Sequence, residues 1–183
     1  MAEAAFAPIS NLMAELFRPI LLRWRLAAFL ASAAMLAIAH AFETFGGLAP
    51  CTLCLRQREV YWTALGVAAA GFVLVRLTRR RGVRAASDLV LGLVFLVGMA
   101  VAIYHAGAEW KFWPGPTTCA STGAGVSAAD LAAMLNGAKI KPPACDKAAW
   151  VFLGVSMAGW NALISAGLAV LSFAAARLEI RGR

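Results

Sequence analysis

Long apolar stretches alternate with short polar segments along the whole chain. Four stretches contain no Asp, Glu, Lys or Arg: Leu26 to Phe42, Val60 to Val75, Leu89 to Ala108 and Ala148 to Ala176. A helix rises about 1.5 Å per residue, so about 20 residues cross a hydrocarbon core of roughly 30 Å. The pattern predicts an all-α membrane protein. Its single domain, residues 1–183, is a four-transmembrane-helix bundle with spans at about 26–45, 59–77, 88–107 and 148–176.

The predicted spans leave two loops on one side of the membrane, at about 46–58 and 108–147. The second loop is the longer one. Ser127 and Asp130 in it resemble a capping box, and Gly137 offers a helix stop. This loop is therefore predicted to carry a short interfacial helix that lies on the membrane surface.

Composition and charge distribution agree with a membrane protein. The chain is 62% hydrophobic and 14% charged, whereas a soluble domain has roughly 25% charged residues. The net charge of +8 comes largely from arginines before the first span, between the second and third, and after the fourth. The positive-inside rule makes that side cytoplasmic, with both termini inside, so no nucleic-acid partner is expected. A cleavable signal peptide ending near Ala39-His40-Ala41 is an alternative interpretation of the first span, and it leaves the other spans oriented as before.

All four cysteines fall on the side opposite these three arginine clusters. Cys51 and Cys54 lie in the first outside loop, and Cys119 and Cys145 lie in the second. An even number of cysteines in an oxidising compartment suggests two disulfides. A zinc site formed by the four cysteines and a pair of inert structural disulfides are the alternatives. No His follows the C-x-x-C motif, which excludes covalent haem attachment, and we expect no metal.

Cys51-Thr52-Leu53-Cys54 is spaced for redox chemistry. A disulfide between such close residues closes a small strained ring, which favours exchange over stapling. Pro50 fits the first position of the second helix. Both thiols would then lie in the first turns, where backbone N–H groups stabilise a thiolate and lower the thiol pKa. Arg58, one turn after Cys54, adds a positive charge.

Several motifs in order resemble the bacterial disulfide bond formation protein B family, DsbB. The first is Pro50 to Arg58, which fits the family pattern PCxxCxxxR. Tyr104-His105 follows at the end of the third span, and then a Trp- and Pro-rich approach to Cys119. Cys145 and the run from Trp150 to Trp160 complete the resemblance, which covers about residues 20 to 175.

The resemblance implies a membrane enzyme, a protein-disulfide:quinone oxidoreductase of the bacterial inner membrane. Cys119 and Cys145 would form the disulfide that oxidises a soluble periplasmic thioredoxin-like partner, DsbA. Cys119 would take the mixed disulfide with that partner, and Cys145 would then attack Cys51. Cys54 would face the quinone, either ubiquinone or menaquinone, as electron acceptor.

The resemblance also implies quinone contacts for Arg58, His105 and Met157. From the residues alone, Met157 is typical of ordinary helix packing, and Asn161 is typical of an interhelical hydrogen bond. Two rival functions remain: a membrane thiol oxidoreductase of the vitamin K epoxide reductase type, and a non-catalytic tetraspan scaffold or transporter subunit with structural disulfides. The place of the C-x-x-C before the second span disfavours the first rival.

Overall fold

Four long helices make up most of the described chain. The computed structural model describes residues 19–21, 23–116, 135–136 and 145–181. The helices are α1 (Trp24–Thr44), α2 (Thr52–Thr78), α3 (Arg81–Glu109) and α4 (Met157–Arg181). All four are long and apolar enough to cross a membrane, so the predicted class, an all-α four-helix membrane bundle, is confirmed. The interfacial helix expected near residues 127–137 lies almost wholly outside the described residues.

The segment before α4 differs from the prediction. The apolar pattern predicts a span from about residue 148, whereas α4 begins at Met157. A small antiparallel hairpin precedes it, formed by β1 (Val151–Phe152) and β2 (Val155–Ser156). Leu153 and Gly154 form its turn with φ values of 50° and 75°, the left-handed conformation that two-residue hairpin turns require. Gly154 therefore lies in the turn of a hairpin, although the apolar pattern places it within the fourth span.

Small residues let the helices approach closely, as is usual in membrane bundles. α3 is the central helix and packs most extensively against α4 and α2, while α1 packs mainly against α2. A Cβ added to Gly92 of α3 would lie 2.6 Å from the Phe173 ring of α4. A Cβ at Gly98 would lie 2.9 Å from Val60 of α2. Neither position leaves room for a side chain.

Two polar contacts join α1 to the rest of the bundle at the arginine-rich end. Arg25 Nη1 donates to both carboxylate oxygens of Asp88 at 2.9 Å, and Asp88 is 1% exposed. Trp24 Nε1 donates to Ser172 Oγ of α4 at 2.8 Å. A buried carboxylate without a partner is costly, so Arg25 is required where Asp88 is buried. This end anchors the bundle, and Cys51, Cys54 and Cys145 lie at the other.

The glycine contacts give a matched test of packing. Gly92→Ala should lower the free energy of unfolding by about 1 to 3 kcal/mol, because the new methyl group overlaps the Phe173 ring. Gly167→Ala is the control, since no atom lies within 4 Å of its added Cβ, and helix propensity favours Ala. Thermal unfolding in detergent measures both. Equal melting temperatures for the two variants would contradict the packing described here.

Candidate functional site

The two thiols of the C-x-x-C motif occupy the start of α2. Cys51 is the N-cap, in an extended conformation, and its sulfur accepts the N–H of Cys54 at 3.3 Å. A capping side chain normally satisfies one of the exposed N–H groups of the first turn in this way. Pro50 therefore lies just before the cap, and its predicted place as the first helical residue is wrong. The two sulfurs lie 3.0 Å apart.

The environment of Cys51 favours its protonated form. Its thiol donates a hydrogen bond to the Cys54 sulfur, and this bond together with burial raises the pKa of Cys51 to about 12, although His105 acts in the opposite direction. The helix terminus alone predicts a lowered pKa for both thiols. For Cys51 that prediction is wrong, because the neighbouring sulfur is the dominant influence. Cys51 therefore holds its proton unless a nearby group removes it.

His105 reaches Cys51 from α3 and is held by polar side chains from two other helices. Its Nε2 lies 3.6 Å from Cys51 Sγ, and its Nδ1 lies 2.8 Å from Gln57 Nε2. Gln57 Oε1 accepts a hydrogen bond from Asn161 Nδ2, and Asn161 Oδ1 accepts one from Tyr61. The Tyr61 hydroxyl also contacts Ser165 Oγ at 3.0 Å. The prediction that Asn161 makes an interhelical hydrogen bond is confirmed.

Within the part of the chain that the structure describes, Cys145 is buried against Cys51 and Cys54. It is 1% exposed and forms a small cluster with Cys51 and Leu53, against which Cys54 also packs. Next to it, Asp146 pairs with Lys111 at the end of α3 at 2.5 Å. The hydrogen bond from Lys111 lowers the pKa of Asp146. Cys119 lies outside the described residues.

A cavity of about 350 Å³ opens beside the thiols, between the helix ends and the hairpin. Cys51, Cys54, Arg58, His105 and Met157 all line it, so five of the residues singled out from the sequence meet there. Most of the remaining wall is apolar.

The guanidinium of Arg58 is turned toward α1. Arg58 Nη1 lies 2.5 Å from Glu43 Oε2, and its Nη2 donates to the Ala39 carbonyl at 3.1 Å. The sequence predicts a charge that acts on the thiolate, but these hydrogen bonds join α2 to α1. Arg58 thus contributes a fixed, partly neutralised cation to the cavity wall.

Aromatic side chains of the hairpin close one side of the cavity. Trp150 stacks on Phe152 with ring centroids 5.7 Å apart, and it contacts Phe42 of α1 at 5.3 Å. Trp160 of α4 donates its Nε1 hydrogen to the Phe152 carbonyl. The hairpin therefore ties these rings to both α1 and α4 and gives the cavity a flat apolar wall.

The two cysteines and His105 also form a compact group of metal-type donors. One atom from each lies within 4.8 Å of the others. Zinc accepts such ligands, but a structural site requires four. The four-cysteine alternative considered from the sequence depends on Cys119, which the structure does not describe.

Several residues of the site have no signal in the sequence. In the sequence, Gln57 is noticeable only as the neighbour of Arg58, and Tyr61 and Ser165 are ordinary residues of predicted membrane spans. Glu109 at the end of α3 contacts His105 with Oε1 3.6 Å from Nε2. A spacing of four residues from His105 is the one clue to this pairing, since it puts both side chains on the same helix face.

The fold and the site together define a four-helix membrane protein with a buried dithiol at one end of the bundle. The family model for Disulfide bond formation protein DsbB matches residues 22–175. The chain is similar to Disulfide bond formation protein B of Methylococcus capsulatus (strain ATCC 33009 / NCIMB 11132 / Bath), with 34% identity over 80% of this chain and 88% of the relative. The protein of the same name from Marinobacter nauticus (strain ATCC 700491 / DSM 11845 / VT8) is 31% identical over 78% of this chain and 84% of the relative. The one from Nitrosomonas eutropha (strain DSM 101675 / C91 / Nm57) is 27% identical over 79% of this chain and 87% of the relative.

No solved structure shows a significant match to the chain. The chain belongs to the DsbB family. It is a multi-pass membrane protein of disulfide bond formation.

The buried polar network gives a test with a built-in control, because the chain has only two tyrosines. Tyr61→Phe should cost about 1 to 3 kcal/mol of unfolding free energy, since it leaves Asn161 Oδ1 and Ser165 without the hydroxyl. Tyr104→Phe should cost less than about 0.5 kcal/mol, because its hydroxyl is exposed and makes one long contact of 3.5 Å. Chemical unfolding in detergent compares them. A Tyr61→Phe protein as stable as Tyr104→Phe would show that the network contributes little.

Proposed function

We propose that this protein reoxidises a soluble periplasmic DsbA-like dithiol carrier and passes the two electrons to a membrane quinone, ubiquinone or menaquinone. The observation that carries the proposal is the cavity: a buried dithiol lines an apolar chamber whose walls come from helix ends. A soluble electron acceptor would not need such a chamber. A lipid-soluble one does, because it must reach the thiols from the bilayer.

The cavity fits a quinone ring. Its volume of about 350 Å³ falls within the roughly 300 to 1,000 Å³ of small-molecule sites, which are mostly apolar with a few polar groups. The stacked Trp150 and Phe152 supply a flat wall, and Arg58 supplies a cation held by Glu43. A quinone bound there would supply a two-electron acceptor. Arg58, His105 and Met157 would bind and orient the ring, and Cys54 would face it.

The position of Cys145 supports the proposed order of exchange among the cysteines. Cys145 packs against Cys51 within one cluster, which supports direct exchange between them. In the proposed step the Cys145 thiolate attacks Cys51 Sγ of the Cys51–Cys54 disulfide. A Cys145–Cys51 bond forms, the Cys51–Cys54 bond breaks, and Cys54 leaves with the electron pair. Cys119 would be the residue that exchanges with the partner's dithiol.

The proposed location is the bacterial inner membrane, with both termini in the cytoplasm. The arginines cluster at the end of the bundle opposite the dithiol, and the positive-inside rule assigns that end to the cytoplasm. The dithiol end would then face the periplasm, where an oxidised carrier and its substrates occur. A tetraspan scaffold with structural disulfides is the rival, and it predicts no turnover.

Arg58→Ala tests the quinone contact. We expect purified Arg58→Ala protein to oxidise the reduced carrier with a KM for quinone raised about tenfold or more, since a buried cation contact is worth about 1.5 to 3 kcal/mol. Arg56→Ala is the matched control, because Arg56 is exposed and pairs with exposed Glu59. Quinone reduction followed by absorbance gives the kinetics. Equal KM values in two folded variants would remove Arg58 from the quinone site.

Capture of the carrier tests the cysteine order. In Cys145→Ser, Cys119 loses its resolving thiol, so oxidised carrier added to the reduced variant should form a stable mixed disulfide through Cys119. Cys119→Ser is the comparison and should give little or no complex. Non-reducing gels with mass spectrometry identify the linked cysteine. Capture mainly through Cys145, Cys51 or Cys54 would reverse the proposed roles, and no capture by either variant would favour structural disulfides.

A further inference from the structure

Glu109 is a buried acid that the proposed electron path does not use. It ends α3, and its side chain is 5% exposed. Its Oε1 lies 3.6 Å from His105 Nε2. Within the described part of the chain no group donates a hydrogen bond to its Oε2. A buried carboxylate oxygen without a donor is costly, and acids at membrane depth usually have a function.

The hydrogen bonds behind His105 determine which of its nitrogens carries the proton. As the amide of Gln57 is placed, its nitrogen lies 2.8 Å from Nδ1, and because an amide nitrogen only donates, Nδ1 accepts in this arrangement. The same direction runs through the rest of the network in this arrangement, where Gln57 Oε1 accepts from Asn161 and Asn161 Oδ1 accepts from Tyr61. Neutral His105 therefore carries its hydrogen on Nε2. It is a donor toward the thiols, and it cannot accept the Cys51 proton at that nitrogen.

The single Nε2 hydrogen faces two groups that can carry a negative charge. Cys51 Sγ and Glu109 Oε1 each lie 3.6 Å from Nε2. One N–H cannot serve two anions equally, and two neighbouring anions in a buried site repel each other. The geometry therefore accommodates one negative charge, either on the carboxylate or on the sulfur.

We propose that Cys51 and Glu109 share one proton, and that the Nε2 hydrogen of His105 turns to whichever of the two is charged. When the thiolate forms, the Cys51 S–H bond breaks and an O–H bond forms on Glu109 Oε2. Both residues line the same cavity, so water there can carry the proton. No electron moves in this step, and the charge of the site is unchanged. Glu109 is thus a positioning residue that acts on the sulfur through His105.

This inference deepens the proposed function, because Cys51 must lose its proton before the Cys51–Cys54 disulfide can reform. Other charged or titratable groups also face the site. Cys54 and Arg58 come from α2, and Cys145 and Lys147 come from the segment that follows the long loop. They are the same in every variant below, so differences between variants report on Glu109 and His105.

The pH dependence of Cys51 alkylation tests the shared proton. The fully reduced protein, without quinone or carrier, is alkylated over a range of pH values, and mass spectrometry follows Cys51. In Glu109→Gln the midpoint for Cys51 should fall by about one pH unit or more, because the competing anion is gone and the His105 hydrogen serves the sulfur alone. Glu59→Gln, an exposed acid of α2, should leave the midpoint unchanged. An unchanged or raised midpoint in Glu109→Gln overturns the proposal.

The route through His105 needs two further measurements. In a His105→Ala background, Glu109→Gln should shift the midpoint much less, and a shift of full size would mean that the carboxylate acts on the sulfur directly. The native protein has only two histidines, so ¹⁵N spectra can assign the His105 tautomer without any variant. We expect the hydrogen on Nε2, and a hydrogen on Nδ1 overturns the proposal. Neither measurement involves quinone or carrier, so their outcome is independent of the proposed function.

Discussion

A chain of buried hydrogen bonds holds the dithiol end of the bundle together. It runs from Ser165 and Asn161 of α4 through Tyr61 and Gln57 of α2 to His105 of α3. Each of these side chains is at most 8% exposed, and in an apolar environment each polar atom needs its partner. The network therefore fixes the relative position of three helices and, through His105, the surroundings of Cys51. Loss of one link changes both packing and chemistry.

The two ends of the bundle place their polar groups differently. At the arginine-rich end, Asp88 is matched by Arg25 with two short hydrogen bonds, an arrangement that anchors helices and leaves little to react. At the dithiol end, Glu109 has a long contact to His105 and an oxygen to which no described residue donates. A carboxyl group with incomplete hydrogen bonding does little to hold helices together. Beside a thiol, such a group is suited to proton exchange. This contrast supports a functional interpretation of Glu109 rather than a structural one.

Much of the fold could be predicted from the apolar runs, because the cost of exposing polar backbone to lipid makes each long run a helix. The start of α4 could not be predicted from the apolar pattern, because residues 148–156 are as apolar as the helix that follows. Only the turn at Leu153 and Gly154 interrupts the run before α4 begins. For the site, the C-x-x-C spacing and the family motifs indicate Cys54, Arg58, His105 and Met157 as cavity residues. Tyr61, Ser165 and Glu109 could not be predicted, because their roles depend on contacts between helices that periodicity does not encode.

The raised pKa of Cys51 explains why the two thiols of one short motif differ. The sulfur of Cys51 caps the helix and lies beside His105 and the buried Cys145. Cys54, almost one turn later, is the third residue of the helix. The S–H of Cys51 points to the Cys54 sulfur, so negative charge in the reduced pair is directed toward Cys54. A thiolate there lies at the cavity that we propose binds the electron acceptor, while the protonated Cys51 packs against Cys145. The asymmetry needs no difference in the residues themselves, because the S–H···S hydrogen bond and the burial of Cys51 produce it against the opposing influence of His105.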